Sequence, residues 1–125
     1  MQGSPLDKTH KKLENATTTL ANFTRKCKSL DQRMATLKMD IARIQKETER
    51  KRQRNEVITL KDSTKVSTLR NNARYCERRE ALIQKKRGIR AGFEKRRDVL
   101  VDKIAKKKLV IAKLRARLDR RGISS

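Results

Sequence analysis

The chain has 125 residues and sets 36 Lys and Arg against 14 Asp and Glu, a net charge of +22 whose self-repulsion opposes any compact state. Leu, Ile, Val and Phe together supply only 27 of the 125 residues, just above the level at which so charged a chain stays disordered, so a large globular core is excluded. No Trp, one Tyr, one Pro and four Gly argue against a sheet fold, which wants aromatics, β-branched runs and frequent turns, and leave long helices. Full order is expected only against surfaces that supply both negative charge and apolar area.

Residues 1–12 read as a lead-in. Ser4 is placed to cap a helix, Pro5 suits its first position, and Asp7 sits near its positive end. A heptad coiled-coil helix is expected over 13–60. Its seam is Leu13, Ala16, Leu20, Phe23, Cys27, Leu30, Met34, Leu37, Ile41 and Ile44, at alternating spacings of three and four. So narrow a stripe cannot enclose a core. It is expected to meet another coiled-coil helix, from a second filamentous protein. In a parallel pair Lys26 would attract Asp31 while Arg33 would repel Lys38, so the flanks do not select a homodimer.

From Gln45 to Asn55 the sequence is almost wholly polar, and the next core positions are Thr48, Lys51 and Asn55. The seam is expected to open there. Val57, Ile58 and Leu60 form an apolar island before residues 61–68, the poorest helix former in the chain. A bend or hairpin turn is predicted over 61–68, with Asp62 or Ser63 as the cap of a second helix.

A strongly basic helix follows over 69–121. The original phase persists through Ile58, Leu69, Cys76, Ile83, Phe93, Leu100, Ile104, Ile111, Leu114 and Leu118. Asp62, Lys65, Asn72, Arg79, Lys86, Arg90, Arg97 and Lys107 occupy the same columns. Facing copies of these cations would repel and lose hydration, so a single helix, or one paired with an acidic partner, is expected. Gly88 and Gly92 mark a candidate hinge at 88–92. Gly122 is expected to end the helix after Arg120 and Arg121, leaving 122–125 as a tail. The predicted fold is therefore all-α: one long extended helix, about 160 Å over 13–118, or a helical hairpin, with coiled-coil heptads and no globular core.

The same residues argue against catalysis. The single His, His10, lies near one end, no Gly-rich phosphate loop occurs, and no nucleophile, base and orienting group can be named together. The chain is read as non-enzymatic, with no cofactor, metal or small-molecule substrate. Cys27 and Cys76 read as small apolar residues of a reducing compartment. No stretch approaches the roughly 20 apolar residues of a membrane span, and no apolar signal segment follows Met1. Arg70–Arg79 superficially resembles the basic region of a leucine-zipper DNA-binding protein. Arg74 and Tyr75 stand where that family has small residues, however, and the good heptads precede the basic stretch instead of following it.

The excess of cations implies a polyanionic partner. Residues 1–60 carry 14 Lys/Arg and 7 Asp/Glu and residues 61–125 carry 22 and 7, so contacts are expected from the second half. The nominated side chains are Arg78, Arg79, Lys85, Lys86, Arg87, Lys106, Lys107 and Lys108. The first reading is a structural protein on an acidic protein lattice such as a microtubule or axoneme, with tubulin as the acidic surface. In general pattern the helical region resembles small coiled-coil proteins of cilia and flagella, which implies a place in the cytoskeleton of such an organelle. The alternative is an RNA-binding component of a ribosome or other ribonucleoprotein, holding phosphates by counterion release. Five clean heptads are not needed to coat RNA, and aromatic stacking residues are nearly absent.

Overall fold

A computed structural model describes residues 5–120. The chain is all-α, with two helices packed as a hairpin: α1 spans Pro5–Lys61 and α2 spans Val66–Arg120. The expected cap at Ser4 and the helix end at Arg121 and Gly122 lie outside the described residues. No helix among those described is long and apolar enough to cross a membrane.

The turn falls inside the predicted 61–68 segment. The Asp62 amide still donates to the Ile58 carbonyl at 2.8 Å, and the chain then leaves the helix. The Asp62 carboxylate accepts from both the amide and the hydroxyl of Thr64, and these hydrogen bonds hold its carboxyl below the usual carboxylate range. Asp62 thus folds the turn locally and does not cap α2. The Lys65 carbonyl accepts from the Leu69 amide at 3.0 Å and so begins the second helix. Gly88 and Gly92 do not break α2, and a Cβ built on either would meet nothing within 4 Å. The expected hinge is continuous helix.

The helical segments form two units. In the first, residues 5–31 of α1 pack against residues 95–120 of α2. Ala16, Ile111 and Leu114 form its buried cluster, with Leu13 and Leu20 packed around it. Cys27 and Leu30 are also buried, and Leu118 is wholly enclosed. In the second unit, residues 32–94, Ile41, Ile44 and Ile83 are buried together with Leu82 against them. Phe23, Met34 and Leu37 are half-buried on the same seam. Both cysteines are buried free thiols.

The seam of α1 is therefore covered by α2 of the same chain, and the expectation that it waits for a second filamentous protein is corrected. The reason is the shared heptad phase. The two halves carry one 3–4 repeat, and a turn at 62–65 brings them together antiparallel.

The polar stretch does not open the seam either. Thr48 is 2 % exposed, yet its hydroxyl donates to the Ile44 carbonyl at 2.7 Å, so burial leaves no polar group unpaired. Cys76 donates to the Thr48 carbonyl at 3.8 Å. Asn72 donates to the Asn55 side-chain oxygen at 2.6 Å, while the Asn55 amide donates to the Leu69 carbonyl at 3.1 Å. A seam asparagine paired in this way fixes register at some cost in stability.

Ile44, 2 % exposed, and Leu60, 88 % exposed, give a paired test of this seam. Ile44→Ala should lower stability by about 2–4 kcal/mol, whereas Leu60→Ala should change it by less than about 0.5 kcal/mol, both read by urea denaturation. Equal effects would mean that the hairpin seam is not what holds the fold.

Candidate polyanion-binding face

The cations placed in the seam of α2 look unfavourable from sequence, and the antiparallel pairing explains why they are tolerated. In the second unit Lys86 bridges Asp40 at 3.7 Å and Arg79 bridges Glu47 at 3.8 Å. Arg52 of α1 also pairs with Glu80 of α2. In the first unit Arg97 pairs with Asp31, a bond that strengthens its hold on its proton. Acids flanking the α1 seam thus neutralise three bases of the α2 seam, Arg79, Lys86 and Arg97. Helix α1 is itself net basic, but it sets single acids opposite these particular cations. Each pair is partly exposed and screened by solvent, so the set selects direction and register more than it adds stability.

The three aromatic side chains are half-buried, each with a cation at its ring. Lys103 lies 5.8 Å from the Phe23 ring in the first unit. In the second, Arg33 lies 5.9 Å from Phe93, and Lys51 and Arg79 lie 5.4 and 5.1 Å from Tyr75. These contacts hold long cationic stems along the seam.

Two flanks remain on either side of each seam. With Cys27 at heptad position a, one flank carries the c and g columns and the other the b and e columns. In the first unit the c and g columns hold Lys8, Lys12 and Lys26 from α1. From α2 they hold Arg96, Lys103, Lys106, Lys113, Arg117 and Arg120. All nine are exposed, and no Asp or Glu stands among them in the described residues. The opposite columns of that unit hold three bases, Lys28, Lys108 and Arg115, against five acids, Asp7, Glu14, Asp31, Asp98 and Asp119. One flank is thus +9 and the other −2.

The second unit repeats the bias more weakly. Its c and g columns carry seven bases and two acids, and both acids, Asp40 and Glu47, are engaged by seam cations. Its b and e columns carry four bases and five acids.

The basic flank of the first unit encloses a cleft of about 460 Å³, with Lys12, Lys107, Lys113 and Arg117 around Ala16, Leu114 and Val110. A cleft of about 680 Å³ in the second unit lies on the other flank and is mixed in charge, with Glu49 and Glu80 beside Lys46, Arg52 and Arg87. Only the first can present an anion with cations alone.

The structure divides the eight nominated contacts. Lys106 lies on the basic flank of the first unit, where Lys107 borders the cleft, and Arg78 and Lys85 lie on the c column of the second unit. Lys106 also reaches Asp102 one helical turn away, at 3.0 Å. Arg87 and Lys108 fall on the opposite flank. Arg79 and Lys86 are half-buried at the seam, where they pair with Glu47 and Asp40. Lys12, Lys103, Lys113 and Arg117 were not nominated. Their signal is present as heptad columns that hold no acid within the first unit, and it has meaning only once the two helices are paired antiparallel.

No family model, curated protein or solved structure matches the chain.

The seam ion pairs have their own check. Asp40→Lys should lower stability by up to about 1 kcal/mol, since it faces Lys86 and also loses its contact with Arg43. Adding Lys86→Asp should restore part of that loss at low salt and little at 1 M salt, as read by urea midpoints in a double-mutant cycle. A cycle that shows no coupling at low salt would remove this pair from the account.

Proposed function

We propose that this chain is a non-enzymatic structural protein that lies along an acidic protein lattice. The microtubule of a cilium or flagellum, with tubulin as the acidic surface, is the lattice to test first. The observation that carries the reading is the segregation of charge in the first unit, nine exposed Lys and Arg on one flank with no acid among them. Solubility alone asks for charges of both signs interspersed. A one-signed field instead steers the molecule onto an anion and orients it there.

An acidic protein surface is favoured over single-stranded RNA by the aromatics. Phe23 and Phe93 lie in the seam and Tyr75 is half-buried beside it, each with a cation at its ring, so they offer no open platform on which bases could stack. The seam of each unit is closed within the chain, so the lattice contact rests on the flank and not on the seam. An RNA-binding role remains an outcome of the test.

The test compares two triple reversals of identical charge change, Lys103, Lys106 and Lys113 to Glu on the basic flank and Lys28, Lys108 and Arg115 to Glu on the other. Co-sedimentation with nuclease-treated microtubules at physiological salt is the measurement. The first triple should weaken binding by about tenfold or more and the second by about threefold or less. Equal losses would mean that net charge alone governs binding. No sedimentation of the parent protein, together with binding to duplex RNA, would transfer the role to a ribonucleoprotein.

A further inference from the structure

The basic flank is not uniformly cationic. Val99, Lys103, Lys106, Val110, Lys113 and Arg117 follow one another along α2 at spacings of four and three. This is a second heptad stripe, set to one side of the stripe that packs on α1. Val99 is 55 % exposed and Val110 43 % exposed. Three helical turns, about 16 Å, separate them. Val110 also borders the cleft beside the buried Ala16 and Leu114, with Lys12, Lys113 and Arg117 at its rim.

We propose that this stripe of the first unit docks an acidic amphipathic α-helix as a third helix, its small apolar residues over Val99 and Val110 and its carboxylates against the flanking Lys and Arg. The inference rests on the acidic-lattice reading above and specifies the element of the partner that is gripped. A partner helix carries apolar side chains and carboxylates at the same three- and four-residue spacings, so one of its faces can cover both valines while its flanks meet the cations. A second copy of this chain is a poor occupant, because its own flank would bring nine cations against nine. An acidic helix supplies both what neutralises the rim and what covers the valines.

The experiment uses the full chain and three probes. The first is a synthetic helix of about 25 residues, matched to the α2 length in this unit, with Leu in its seam and Glu on its flanks. The second is poly-glutamate of equal charge, and the third an RNA duplex. The decisive variant is Val99→Lys with Val110→Lys, which removes the apolar contacts while adding two cations at exposed helix positions. Circular dichroism confirms that the hairpin is kept.

The parent should bind the amphipathic helix at least about tenfold more tightly than poly-glutamate, and the double variant should lose about tenfold for the helix while binding poly-glutamate as well or better. If the variant binds both acidic probes more tightly, the stripe is an undifferentiated cationic surface: this inference fails and the acidic-lattice reading stands. If neither acidic probe binds and the RNA duplex does, both fail together.

Discussion

Everything in this molecule depends on the antiparallel meeting of a mostly apolar seam on α1 with a seam on α2 that is interrupted by cations. Arg79, Lys86 and Arg97 lie in the contact columns of α2, and their tolerance rests on Glu47, Asp40 and Asp31 beside the α1 seam. In a symmetric assembly of like segments the same cations would face one another and lose hydration without compensation. Folding the chain back on itself is the arrangement in which the α1 acids are spent on the α2 bases. Buried aliphatics supply the stability, and the polar pairs, including Asn55 with Asn72, supply direction and register.

That internal neutralisation has a consequence at the surface. Once Asp31, Asp40 and Glu47 are engaged in the seam, the other acids of each unit stand chiefly on the b and e columns, and the first unit's opposite flank is left wholly basic. The excess charge that looked like a diffuse property of the composition becomes a directed one. A protein that merely needed to stay dissolved would gain nothing from sorting its charges in this way. The two partly exposed valines within that flank give it apolar anchors as well as charge.

Much of the fold was legible in the sequence. The all-α class, the seam columns from Leu13 to Leu118 and a turn within 61–68 follow from periodicity and from the weak helix formers at 62–64. The partner of the seam was not legible, because heptads state that a helix is met without stating whose. The polar stretch hides the closed seam for a local reason: Thr48 interrupts the apolar pattern, although its hydroxyl is satisfied by its own helix. The face was harder still. Runs such as Lys106-Lys107-Lys108 attract the eye in a linear reading, but a helix sends their side chains to three different surfaces. Only the pairing geometry shows that Lys12 and Arg117, distant in sequence, border one cleft.

The most direct test is the mass and helicity of the isolated chain in solution as a function of concentration. A seam closed within one chain predicts a monomer of 14.6 kDa by sedimentation equilibrium, with helical circular dichroism unchanged from micromolar upward. A dimer mass, or helicity that falls on dilution, would contradict it: the seam would then be closed between chains, and the assignment of the basic flank would have to be rebuilt on that pairing.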